Sequence, residues 1–180
     1  MTGTGTGTSS RVLVAAASKH GATREIAAHI GETLGRRGCD ATVLDADRID
    51  TLDGYDAVVL GSAVYAGHWL PDAKDLADRI AARRPLPAVW LFSSGPVGDP
   101  PKPDEEPVDV AAIVDATAPR GHRVFAGRID KAGLGFAERA IMIAVRAPEG
   151  DFRDWDDISS WAHGIADALH AEPTDQKSTS

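Results

Sequence analysis

The sequence predicts an α/β protein: a three-layer, doubly wound, five-stranded parallel sheet in the order 2-1-3-4-5, with helices on both faces. Three observations predict it. The runs RVLVAAA, DAVVLG and PAVWLF are apolar at consecutive positions, as strands covered on both sides must be. Amphipathic helical stripes alternate with these runs, which is the pattern of parallel strands joined by crossover helices. The 180 residues suit a single domain. Right-handed crossovers then leave few possible strand orders.

The elements follow in order. Arg11–Ala17 is the first strand. After SKHGAT, Ile26, Ile30 and Leu34 recur every fourth residue with Ala27 beside them, and Gly38 stops that helix. Ala41–Leu44 is a short second strand and Asp56–Gly61 a third. Pro71 suits a first helical turn, and Ala73, Leu76, Ala77 and Ile80 form the buried stripe behind it. Pro87–Phe92 is the fourth strand, Val108–Thr117 a short helix and His122–Ala126 the fifth strand. The last helix carries Trp155, Ile158, Trp161, Ala162, Ile165 and Leu169 on one stripe. Asp154 is placed to cap it, and Asp156 and Asp157 suit its positive end. Met1–Ser10 (MTGTGTGTSS) and residues 171–180 are expected to be flexible tails on a domain of residues 11–170.

Composition narrows the function. The chain is 43% hydrophobic and 26% charged, which is normal for a globular protein. Nineteen basic against twenty-seven acidic residues give a formal charge of −8. That balance repels phosphate backbones, which argues against nucleic acid, and it favours basic partners. Cys39 is the single cysteine, so an internal disulfide, a dithiol redox centre and a zinc finger are excluded. The six histidines show no metal-ligand spacing, and no metal is expected. No apolar run reaches the roughly 20 residues that span a bilayer. The opening residues have neither the basic nor the apolar region of a secretory leader, and the expected location is cytoplasmic.

In an open parallel sheet, ligands bind beyond the carboxyl ends of the strands. Three loops lie there. Ser18–Thr23 (SKHGAT) joins the first strand to its helix, and its small residues let backbone amides and the helix dipole approach an anion. Ser18 and Thr23 add hydroxyls, and Lys19 and His20 add cationic or N–H donors. It is neither a Walker loop nor a dinucleotide fingerprint. The alternative is an ordinary strand–helix turn with a capping hydroxyl. Gly61–Trp69 (GSAVYAGHW) offers two glycines for close approach, and Tyr65 and Trp69 as rings that stack on a planar ligand or fill core. Ser93–Gly98 (SSGPVG) offers hydroxyls and tight turns, but no nucleophile elbow. His68 is a candidate proton donor or a plain rim residue. Gly127–Ala147 ends in an apolar stretch, Ile141–Val145, between Arg139 and Arg146. It reads either as a helix packed on the sheet or as a contact for a membrane surface or quinone tail.

VLVAAASKHGATREIA, LGSAVYAGHW and LFSSGPVG, in that order, resemble the three flavin-mononucleotide (FMN) loops of flavodoxin-domain proteins. The ending GDFRDWDDISSWA resembles the flavodoxin-type (menaquinone-dependent) protoporphyrinogen oxidase group and its uncharacterised relatives. The likeness runs over residues 11–170. It implies a flavodoxin-like fold and FMN as cofactor. By position, Ser18, Lys19, His20, Gly21, Ala22 and Thr23 would cradle the phosphate. Ser62, Ala63, Val64, Tyr65, Ala66 and Gly67 would border the isoalloxazine, with Tyr65 and Trp69 stacking on it. Ser93, Ser94, Gly95, Pro96, Val97 and Gly98 would line its pyrimidine side. Where the family pattern has a hydroxyl residue before the glycine, this chain has His20, whose imidazole N–H is the replacement donor. Two functions follow from the resemblance. One is an FMN oxidoreductase acting on a small porphyrinogen or quinone-type substrate. The other is a flavodoxin-like electron carrier that docks on basic redox proteins. A domain that no longer holds flavin is the third reading.

Overall fold

The computed structural model describes residues 8–95, 107–144 and 149–172. Five parallel strands form the main sheet: β1 (Arg11–Ala17), β2 (Asp40–Asp45), β3 (Ala57–Tyr65), β5 (Ala88–Ser94) and β6 (Gly121–Phe125). Their order is β2-β1-β3-β5-β6, so the five parallel strands, numbered among themselves, run 2-1-3-4-5. The short β4 (His68–Trp69) adds an antiparallel partner to the end of β3, which the sequence reading lacks.

Side-chain alternation along each strand divides the core in two. Val12, Val14 and Ala16 of β1, with Val59 of β3 and Phe92 of β5, pack under α1 (Ala22–Arg36) and α5 (Trp155–Ala171). Leu13, Ala15 and Ala17, with Leu60 and Leu91, pack under α2 (Pro71–Ala81) and α3 (Val110–Thr117). Both faces of each central strand are therefore covered, and this is why the sequence shows unbroken apolar runs rather than alternation. The helical stripes follow the same division: Ile26, Ile30 and Leu34 of α1 meet Ile158 and Ile165 of α5 in one core, and Leu76 and Ile80 of α2 lie in the other.

Local chemistry ends the helices where the sequence places the signals. Gly38 adopts φ 86° after α1, and the Cys39 N–H returns to the Leu34 carbonyl at 3.1 Å. Pro71 opens α2. The Asp154 carboxylate accepts from the N–H groups of Asp156 and Asp157 at 3.1 and 3.0 Å, capping α5.

Gly61 has a different role from the one expected. It lies within β3, and a Cβ there would sit 2.0 Å from the Phe92 ring. Its missing side chain makes room for a core aromatic rather than for a ligand.

Residues 127–144 and 149–151 also depart from expectation. They form a two-stranded ribbon of β7 (Arg128–Ile129) and β8 (Gly150–Asp151), and a helix α4 (Phe136–Ala144) that buries none of its residues. The reading of a helix packed on the sheet is thus corrected, because α4 offers the sheet no apolar face. Arg153 fastens this segment to the base of α1. Its side chain, 3% exposed, ion-pairs with Asp151 and Glu25, donates to the Ala22 carbonyl at 3.3 Å and lies 4.6 Å from the Trp155 ring centroid.

Candidate functional site

The turn from β1 into α1 places Ser18, Lys19 and His20 at the carboxyl end of the sheet. Gly21, at φ 86°, is the first-turn boundary of α1, and the Ser18 hydroxyl oxygen accepts its N–H at 3.0 Å. That contact closes the turn and leaves the Ser18 O–H free to donate. A Cβ on Gly21 would meet nothing within 4 Å, so the space over the turn is open. Thr23, on the first turn of α1, is buried. Lys19 and His20 stand on the rim, and both reach Glu138 of α4. The Lys19 ammonium ion-pairs with one carboxylate oxygen. The other oxygen lies 3.3 Å from His20 Nε2 and accepts the Gly135 N–H at 3.1 Å. The Lys19 ammonium first, and the Gly135 N–H second, pull the Glu138 carboxyl down to about 2.

The end of β3 forms the second wall. Ala66 and Gly67 adopt φ 50° and 80°, so the chain reverses into β4 through a two-residue turn with positive φ at both central positions. Just before it, the half-buried Tyr65 ring sits beside the first turn. Lys19 Nζ is 5.2 Å from its centroid and the His20 ring 6.3 Å away. Burial first, and the Glu138 charge second, push the Tyr65 phenol up to about 12. The Gly67 carbonyl accepts the Val108 N–H at 2.8 Å, which ties the turn to the chain before α3.

Trp69 does not stack at this mouth. It is 2% exposed, lies in the core under α2, and donates its indole N–H to the Ser93 hydroxyl at 2.9 Å. Reversal at Ala66–Gly67 turns Trp69 inward while leaving its register neighbour Val64 on the same core face. The stacking role expected of Trp69 is corrected to a core role. The serines behave alike. Ser62 is fully buried, donates to the Ala63 carbonyl at 2.8 Å and accepts the Leu70 N–H at 2.9 Å. Ser93 is fully buried with its hydroxyl 3.0 Å from His122 Nε2, and Ser94 is buried beside it. The Gly95 N–H donates to the Phe125 carbonyl at 2.9 Å. These hydroxyls and this amide hold the framework under the mouth. Pro96, Val97 and Gly98 lie outside the described residues.

His68 is exposed on β4, with Nδ1 3.1 Å from the Asp109 carboxylate. Asp109 also accepts the Trp69 N–H at 3.1 Å and lies 3.6 Å from Lys74 Nζ. Burial raises the Asp109 carboxyl, but the His68 and Trp69 hydrogen bonds with the Lys74 charge outweigh it, leaving the group below the usual carboxylate range. Asp109 occupies the N-cap position of α3 and spends its carboxylate on β4 instead of on a cap. Neither Asp109 nor Glu138 carries a local signal in the sequence.

The structure therefore brings together Ser18, Lys19, His20, Gly21, Tyr65, Ala66 and Gly67. These residues fit a phosphate-bearing planar ligand on two grounds. Lys19 and His20 at the turn already hold an anion, the Glu138 carboxylate. An aromatic ring lies within about one ring width of that pair.

The family model described as Flavodoxin domain matches residues 13–156. Among solved structures, a flavodoxin from the domain Archaea is 18% identical, with a TM-score of 0.60 over 89% of this chain and 99% of its own. A flavodoxin of Streptococcus pneumoniae TIGR4 is 17% identical, with a TM-score of 0.60 over 90% and 99%. The rubredoxin oxygen:oxidoreductase of Desulfovibrio gigas is 17% identical, with a TM-score of 0.61 over 89% of this chain but only 36% of its own. No protein of curated function matches the chain in sequence. Among the described residues, no helix is long and apolar enough to cross a membrane.

Proposed function

Because the chain belongs to the flavodoxin-domain family, we propose that it binds FMN at the carboxyl ends of β1, β3 and β5 and works as an FMN-dependent oxidoreductase. The observation that carries this reading is the pairing of the Lys19 ammonium and the His20 imidazole on the open β1–α1 turn, set against the Tyr65 ring. Lys19, His20 and the Ser18 O–H would hold the phosphate, assisted by the positive end of α1. The Tyr65 ring would lie against the isoalloxazine, and the Ala66–Gly67 turn would border its edge. The Trp69–Ser93 hydrogen bond and the Leu70 N–H donated to Ser62 would keep the floor of the site rigid, without touching the ligand. Bound FMN supplies the electron-transfer chemistry, and the protein supplies position and charge.

For the reaction, a small porphyrinogen or quinone-type substrate fits the exposed apolar residues Phe136, Ile141 and Ile143, which α4 presents next to Lys19 and His20. The formal charge of −8 favours a second reading, an electron carrier that docks on basic redox proteins. Peripheral contact with a membrane surface through the same α4 residues belongs to the first reading.

Titrating the purified protein into FMN tests cofactor binding. Saturable quenching of the flavin fluorescence is expected, and unquenched fluorescence contradicts the proposal. With FMN bound, steady-state turnover of a soluble quinone marks the enzyme. One-electron exchange with a basic redox protein, and no quinone turnover, marks the carrier.

A further inference from the structure

Helix α4 is held at the mouth by unusual means. Its nine residues are all exposed or half-buried, and Phe136 is 93% exposed. A helix this short is not stable alone in water, and α4 has no buried apolar stripe to compensate. A charged contact reaches the body of the fold: Glu138, set two residues into α4, spans to the β1–α1 turn across 119 positions of sequence. Both carboxylate oxygens are occupied there, one by Lys19 and the other by His20 and the Gly135 N–H. These two side chains are the ones that the proposed function assigns to the ligand's phosphate. His20 Nε2 has at most one N–H to give, and two anions crowded on the Lys19 ammonium repel each other, so the carboxylate and the phosphate compete.

We propose that Glu138 is a specificity-determining residue of the FMN site, an internal anion that a phosphate must displace from Lys19 and His20. The inference rests on the reading of that turn as the phosphate site. Displacement has two consequences. Each phosphate-bearing ligand binds more weakly than the turn alone would allow, while a ligand without phosphate is unaffected. Loading also breaks the tie between Glu138 and the β1–α1 turn, so α4 becomes more mobile once the phosphate is seated.

The test compares wild type and Glu138→Gln with two probes, FMN and riboflavin, each followed by flavin fluorescence. Glu138→Gln removes the competing charge from a half-buried position outside both core clusters. FMN affinity is expected to rise roughly twofold to tenfold, the range for a partly exposed ion pair, with riboflavin affinity unchanged. Glu138→Asp keeps the charge on a shorter arm and should fall between the two. Amide exchange over residues 136–144 gives a second readout: FMN should speed it in wild type, and riboflavin should not. Equal FMN affinity in wild type and Glu138→Gln, or a parallel gain for riboflavin, overturns the inference while leaving FMN binding intact. Loss of FMN binding in both proteins overturns the FMN reading itself, and the inference with it.

Discussion

Helices α5 and α4 lie close in sequence and are attached by opposite means. Helix α5 buries Ile158, Ala162, Ile165, Ala166 and Leu169 against the sheet and against α1, and Asp154 caps its start. Helix α4 buries nothing, and its Glu138 is joined to Lys19 and His20 by charge. Apolar attachment is stable over a wide range of conditions, because removing hydrocarbon from water does not depend on pH or on competing ions. Charge attachment at a partly exposed site is weak, screened by salt and open to displacement by another anion. The first suits a scaffold and the second suits a part that moves when a ligand arrives.

The contrast can be broken most directly in the core. Ile165→Ala removes a nearly fully buried side chain of α5 and should cost about 2–5 kcal/mol, read as a fall in the urea midpoint. Ile141→Ala, on the exposed face of α4, should stay within about 0.5 kcal/mol of wild type. Comparable losses at the two positions would mean that α4 is packed and not merely tethered. Next in size is Gly61→Ala. The added methyl meets the Phe92 ring beneath α5, and overpacking of this kind should cost about 1–3 kcal/mol. Thermal melts should show part of that loss recovered when Phe92→Leu is added, and no recovery would place the strain elsewhere.

A smaller effect sharpens the same contrast through pH. Folding lowers the Glu138 carboxyl from 4.5 to about 2, so its contribution to docking is complete above 4.5 and fades as pH falls toward 2. Pepsin cleavage within 136–144 should be slower in wild type than in Glu138→Gln near pH 4.5. The two rates should converge as pH approaches 2. A ratio that stays constant over this interval would show that the carboxylate does not hold α4.

The sheet was legible from sequence because its cause is local. Apolar runs such as Arg11–Ala17 and the fourfold spacing of Ile26, Ile30 and Leu34 each report burial at their own positions. The first and second loops were found for a related reason, since they sit where parallel strands end. Their inner workings were not legible. Whether Trp69 faces ligand or core depends on the two-residue turn at Ala66–Gly67, and a shift of one residue reverses the face. Ser62 and Ser93 carry the residue type of a ligand donor, but their partners, Leu70 and Trp69, come from the start of α2 and from β4. Least legible were Glu138 and Asp109, whose partners lie 119 and about 40 positions away and leave no periodic trace.

The central claim is that the β1–α1 turn holds a phosphate through Lys19 and His20. It is tested most directly by isothermal titration of wild type and Lys19→Gln with FMN and with riboflavin. Wild type should bind FMN more tightly than riboflavin, and Lys19→Gln should lose most of that preference while still binding riboflavin as well as before. Equal affinity of wild type for the two flavins, or a preference untouched by Lys19→Gln, would contradict it.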